Sequence, residues 1–249
     1  MKSVVLLSGG LDSAVSLACA LQESTVKLCL TMDYGQKAAA REIGAAAALA
    51  AYYNLEHKII ELPFLKQITS TALVNEEQAI PAPGLADLDD PVAAGESAAA
   101  VWVPNRNGLF INIAACFAEA LDCALIVTGF NREEAKTFPD NSAPFVECTN
   151  EALAYSTRNR VKVISYTQRL DKTDIVRLGQ KLGVPWQFIW SCYYGGKTMC
   201  GECESCRRFF RAMAAANQSL VVGSQKSEKQ TVNHRPETSE RRRLNPDRG

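Results

Sequence analysis

No apolar run in this 249-residue chain reaches the roughly 18–20 residues that a helix needs to cross a bilayer. The segment after Lys2 is too short to serve as a secretory signal. Net charge is lacking as well, because 27 Lys and Arg offset 27 Asp and Glu. What imbalance exists is local: Ser224 to Gly249 holds seven basic and four acidic residues, leaving 20 and 23 elsewhere. An even balance over the folded part gives no bulk electrostatic argument for nucleic acid. The expectation is a soluble cytoplasmic protein with small-molecule substrates, no nucleic-acid partner and no membrane.

Two familiar phosphate sites are also missing. The glycine turn Ser8-Gly9-Gly10-Leu11-Asp12-Ser13 lacks the Lys-Ser/Thr of a Walker loop and the third glycine of a dinucleotide fingerprint. What is present is the apolar run Val4-Val5-Leu6-Leu7, this turn, and a helical run from Ala14 to Leu21. Strand, glycine turn and helix N-terminus together favour anion binding, through converging N–H groups and the helix dipole. Ser8 and Ser13 add hydroxyl donors. The hexapeptide resembles the SGG-x-DS signature of the PP-loop ATP pyrophosphatases. That resemblance implies cleavage of ATP between its α- and β-phosphates. It also implies ATP contacts at Leu7, Ser8, Gly9, Gly10, Leu11, Asp12, Ser13, Ala14, Val15, Ser16 and Leu17.

Strands and helices alternate along the chain. Val26–Met32 reads as a second strand ending at Asp33-Tyr34-Gly35-Gln36, and a helix follows over 37–53. A third strand lies near His57 to Leu62, and His57 reads as structural. A fourth strand over 124–128 leads into Gly129-Phe130-Asn131, and a fifth lies near Val161 to Ile164. Asp171 caps a helix that begins with Lys172, a candidate phosphate ligand, and runs to Leu182. Such alternation predicts an α/β fold with a doubly wound, mainly parallel sheet, of the adenine nucleotide alpha hydrolase-like kind. Ligands of these sheets lie beyond the carboxyl ends of the strands. Residues 69–100 show little periodicity and read as a flexible loop at the site's mouth. Arg106, in an Asn-Arg-Asn cluster before a helix, suits a phosphate or carboxylate held bidentately. The expected organisation is 1–185 as ATP-binding domain, 186–222 as C-terminal segment, and 223–249 as a disordered tail.

Nine cysteines are present, five of them scattered singly. Cys192, Cys200, Cys203 and Cys206 cluster within fifteen residues, three of them at two-residue spacing. Four thiolates suit tetrahedral zinc, and the closed shell gives the ion a structural role. An iron–sulfur cluster is the competing occupant.

These motifs together, with Val103-Pro104-Asn105-Arg106-Asn107 and Ser191-Cys192-Tyr193, resemble the 7-cyano-7-deazaguanine synthase family of queuosine biosynthesis over residues 1–213. The resemblance implies a ligase that forms carbon–nitrogen bonds, converting 7-carboxy-7-deazaguanine and ammonia to the nitrile at the expense of ATP with Mg²⁺. The adenine would lie near Asp33. It implies catalytic roles for Ser8, Asp12, Ser13, Lys172 and Arg106, and a homodimer. Substrate contacts are expected from Arg106, Asn107, Gly129, Asn131, Phe138 and Asp140. No amidotransferase domain is evident, so free ammonium is the expected nitrogen source. The chain departs from the family pattern twice. Asn105 stands where Gly is usual, and Glu133-Glu134 intrude in a 132–142 loop that lacks the usual Cys and Arg. Two other readings remain open: a PP-loop tRNA-modifying sulfurtransferase, and a non-catalytic zinc-ribbon module that binds nucleotide or nucleic acid.

Overall fold

The computed structural model describes residues 1–231, with side chains through residue 217. Five strands form one parallel sheet in the order β3-β2-β1-β4-β5. They are β1 (Lys2–Leu6), β2 (Thr25–Asp33), β3 (His57–Glu61), β4 (Leu125–Thr128) and β5 (Lys162–Ser165). The sheet reverses direction of winding at β1, which pairs with β2 through Val5↔Cys29 and with β4 through Val5↔Val127. The ends of β1, β2 and β4 therefore open onto one edge, where ligands of such sheets bind.

Eight α-helices occur among the described residues: α1 (Leu11–Glu23), α2 (Ala39–Tyr52), α3 (Pro63–Ile68), α4 (Pro91–Ala100), α5 (Arg106–Ala120), α6 (Ala143–Ser156), α7 (Lys172–Lys181) and α8 (Glu204–Thr231). Alternation along β1 sends Val4 and Val5 to opposite faces, and each is fully buried. Val4 packs in a core with Leu28, Leu30 and Ile111 of α5. Val5 packs with Leu17 of α1, Leu49 of α2 and Ile175 of α7. Side chains of this size contribute about 1.5–3 kcal/mol each on burial. The two cores hold the central strand rigidly, and with it the turn that follows.

The chain divides into one compact unit, Met1–Ala216, and a second from Asn217 onward. Within the second, α8 runs to Thr231, beyond the boundary at 223 expected from composition. His234 and the Arg241-Arg242-Arg243 run lie outside the described residues. No helix among the described residues is long and apolar enough to cross a membrane.

Residues 69–100 depart from the loop expected there. Residues 91–100 form α4, and a 3-10 turn occupies Asp87–Asp89. Pro91 opens α4, while the Asp90 carboxylate accepts hydrogen bonds from the Val92 and Ala93 N–H groups. The buried face of α4 consists of Ala94, Ser97 and Ala98, so apolar periodicity does not reveal it. Leu73, Val74, Ile80 and Leu88 are also buried and anchor this segment to the core.

Candidate active site and metal centre

The turn after β1 carries the first functional groups. Gly9 adopts φ +77°, and a Cβ there would stand 2.6 Å from Ala45 Cβ and 2.9 Å from the Glu42 carbonyl oxygen. Only glycine lets the turn lie this close to α2. Gly10 takes the N-cap position of α1 and offers no side chain to cap it, leaving first-turn N–H groups for an anion. Ser13 is buried, and its hydroxyl ties the loop together. It donates to the Gly10 carbonyl at 3.1 Å and accepts from the Ser8 N–H at 3.2 Å. Ser8 is exposed, with its hydroxyl 3.1 Å from that of Ser13. Gly129 permits a second close approach, because a Cβ would fall 2.8 Å from the Ser13 nitrogen.

A cavity of about 260 Å³ opens over this turn. Ser8, Gly10, Asp12 and Ser13 line it, together with Arg106, Asn107, Gly129, Phe138 and Lys172. Lys172 is buried beneath it rather than solvated. Its ammonium donates to Asp12 Oδ2 at 2.7 Å and to Glu134 Oε1 at 2.6 Å. Burial pushes the Asp12 carboxyl up to about 6; Lys172 opposes this, and Glu134 adds to it. Burial also acts upward on Glu134, yet the Lys172 charge and hydrogen bond hold it below the usual carboxylate range. Burial disfavours the Lys172 charge, but Asp12 and Glu134 outweigh it and raise its affinity for the proton. Asp12 Oδ1 is buried and has no hydrogen-bond partner among the described residues. A carboxylate oxygen so placed fits a divalent cation arriving with a nucleotide.

Arg106 begins α5 and reaches the end of β2. Its Nη1 donates to the Tyr34 hydroxyl at 3.1 Å, and its guanidinium lies 5.7 Å from the centroid of the Tyr34 ring. The Phe138 ring is parallel to that of Trp102, with centroids 6.3 Å apart and an interplanar angle of 8°.

The four cysteine sulfurs lie within 4.8 Å of one another. Backbone N–H groups point at them: Tyr194 and Cys200 donate to Cys192 Sγ at 3.4 Å, and Cys203 to Cys200 Sγ at 3.3 Å. Such donors stabilise thiolates, so this set fits a four-coordinate metal. The segment ahead of Cys192 reaches the glycine turn. The Trp190 N–H donates to the Gly9 carbonyl at 2.9 Å, and Ser191 Oγ accepts from the Leu11 N–H at 3.4 Å.

The family model described as queuosine biosynthesis protein QueC matches residues 2–217. The chain belongs to the QueC family. It is 64% identical over 220 residues to the 7-cyano-7-deazaguanine synthase of Pelotomaculum thermopropionicum, covering 88% of this chain and 100% of that protein. It is 59% identical over 216 residues to the synthase of that name from Desulforudis audaxviator, covering 87% and 98%. Among solved structures, the U34-tRNA thiolase NcsA from Methanococcus maripaludis with its [4Fe-4S] cluster superposes with a TM-score of 0.44. Identity is 16%, and 91% of this chain and 71% of that one are covered.

In this QueC-family chain several expected contact residues lie away from the cavity. Ala14, Val15 and Leu17 are buried in the core, and Ser16 Oγ sits 3.3 Å from Thr167 Oγ1. They form the inner face of α1 and support the turn from behind. Asp33 does not line the cavity. Its carboxylate accepts the Gly35 N–H at 3.0 Å, an Asx turn that shapes the end of β2. Asn131 is fully buried and accepts the Glu134 N–H at 2.8 Å, while Asp140 also lies off the cavity wall. His57, read as structural, places Nε2 2.7 Å from Thr31 Oγ1. Tyr34, Ser191 and Tyr193, which stand in the matched motifs without an expected contact, line the cavity, as do Glu42 and Glu134. The signal for Glu134 was its place in a strand-to-helix loop, and for Ser191 its position beside Cys192.

Proposed function

We propose that this chain makes 7-cyano-7-deazaguanine, the product in its relatives' name, from 7-carboxy-7-deazaguanine, ammonia and ATP within queuosine biosynthesis. One observation carries the reading: a single cavity is lined by the uncapped glycine turn, the Arg106 guanidinium and the Lys172 ammonium. This gathers donors for a polyanion and for a carboxylate in one place, where the two must react.

The substrate carboxylate attacks the α-phosphorus of ATP, giving an acyl adenylate and pyrophosphate. Ammonia adds to the acyl carbon and AMP leaves, giving the amide. A second ATP adenylates the amide oxygen, and loss of AMP leaves the nitrile. Each adenylation brings an anion or a weak nucleophile to a polyanion, so the barrier is chiefly one of charge. The amides at Gly9 and Gly10 and the Ser8 hydroxyl bind the departing phosphates, while Ser13 holds the turn in shape. Loss of one preorganised donor of this type costs about 3 kcal/mol, roughly a hundredfold in rate. Arg106 neutralises the substrate carboxylate, and Asn107 and Phe138 contact the deazapurine ring. Asp12 and Glu134 would hold Mg²⁺, which supplies further neutralisation of the phosphates when bound. Cys192, Cys200, Cys203 and Cys206 would hold one zinc ion, which braces the segment that grips Gly9 and Leu11.

Mass spectrometry of a reaction holding 7-carboxy-7-deazaguanine, ammonium, Mg²⁺ and ATP tests the proposal. Nitrile with two AMP per product is the expected result. AMP without nitrile would retain the adenylation and reject the acceptor. No ATP cleavage by folded protein would overturn the reading.

A further inference from the structure

Glu133 joins the active-site lysine to helix α8. Its Oε2 accepts the Lys172 N–H at 3.2 Å, while its Oε1 accepts from Arg208 Nη1 at 2.6 Å and from Arg211 Nη2 at 3.0 Å. The neighbouring Glu134 takes the Lys172 ammonium, so two adjacent carboxylates hold one lysine at both of its ends. Arg208 is itself fixed on three sides. Its Nε donates to Glu204 Oε1 at 2.8 Å and its Nη2 to the Leu88 carbonyl at 2.6 Å, besides the bond to Glu133. Glu204 Oε2 in turn accepts from the Ser97 hydroxyl of α4. Side-chain exposure is 9% for Arg208, 13% for Glu133 and 8% for Glu204, so water does not replace these partners.

Stability alone does not account for this arrangement. Buried ionic clusters contribute little net stability over well-packed apolar side chains of the same volume, but they fix geometry when all members are paired. The guanidinium fork of Arg208 can do this where an ammonium cannot, since its donors diverge in one rigid plane. The fork reaches the turn at 87–89 and the 132–136 loop directly, and α4 through Glu204, from a helix whose first turn holds Cys206. That loop carries both grips on Lys172.

We propose that Arg208 is a positioning residue: through Glu133 it sets the 133–134 loop, and thereby the place of the Lys172 ammonium over Asp12. Its role in turnover rests on the function proposed above; its effect on Lys172 does not.

The test compares R208M, R208K, E133Q and the double variant E133Q/R208M in the full chain. Steady-state AMP release is measured together with metal content and amine-reactive labelling of each lysine read by mass spectrometry. R208M is expected to keep its metal and its melting cooperativity, with kcat lowered about tenfold or more, because small displacements of a catalytic group are costly. Lys172 should label faster than in the wild type while the other lysines label unchanged. R208K should recover part of the activity. E133Q/R208M should be no worse than R208M, since the two substitutions break one and the same link. The proposal is overturned if R208M keeps wild-type kcat and Lys172 protection, if its loss tracks metal loss, or if the double variant is the product of the singles. Should the wild type form no AMP, the function reading fails, and Lys172 labelling in R208M still decides this one.

Discussion

The Lys172 ammonium stands 2.7 Å from Asp12 Oδ2, across 160 residues of sequence, and joins the start of α7 to the start of α1. With Glu134 at 2.6 Å, it stands between two carboxylates. Replacing Lys172 by Met leaves both acids facing each other in a poorly hydrated site. Removing one partner of a buried pair typically costs about 3–5 kcal/mol. K172M is therefore expected to lose about 3 kcal/mol in urea unfolding and to release no AMP. An unfolding midpoint equal to that of the wild type would refute the buried pairing.

The same cluster sets a pH dependence. Asp12 binds its proton up to about pH 6, through burial and the Glu134 charge acting against Lys172. A protonated Asp12 cannot hold a cation, so kcat/KM should rise with pH through a limb centred near 6 in the free enzyme. Glu134 raises the Asp12 pKa, so E134Q should shift this limb toward lower pH, whatever it does to the maximum. A limb that stays in place, or moves upward, would show that another group governs it. The pH–rate profile of AMP release for both proteins is the measurement.

Much of this was legible in the chain. The Ser8–Ser13 turn between an apolar run and a helix fixes its own fold, because glycine and the helix start leave few alternatives. The four cysteines were equally plain, since their spacing alone brings the sulfurs together. Lys172 was visible as a candidate, but its burial was not. Its partners Asp12 and Glu134 come from distant segments, and a lone Lys at a helix start is ordinarily solvated. Helix α4 was hidden for a different reason: Ala94, Ser97 and Ala98 bury against the core without an apolar stripe. Ala14, Val15 and Leu17 follow the turn in sequence and so pass for ligand contacts, yet the helix points them into the core.

The cysteine cluster yields a prediction that separates its two candidate ions. Four sulfurs within 4.8 Å and their N–H donors suit one tetrahedral ion. Elemental analysis is expected to give one zinc per chain, with no visible absorbance from an iron–sulfur centre. C203S should lose the ion. It should also loosen the Trp190–Gly9 and Ser191–Leu11 contacts, so that ATP binding weakens along with metal loss. Undiminished ATP affinity in metal-free protein would detach the centre from the site.

Asn105 offers the last test. The residue precedes α5 with φ +50° and ψ +27°, in the left-handed region. Asn tolerates this conformation better than other non-glycine residues, because its short polar side chain bonds locally. Asn therefore occupies this position without displacing Arg106, the next residue. N105G should therefore fold and turn over much as the wild type does. N105V places a β-branched side chain in the same conformation, which costs about 1–2 kcal/mol and shifts α5 to relieve the strain. Since Arg106 rides on that first turn, N105V should raise KM for the carboxylate substrate while leaving KM for ATP nearly unchanged. Thermal unfolding and the two KM values decide the matter. An N105V protein as stable as N105G would remove the strain from the account, and equal rises in both KM values would remove the link to Arg106.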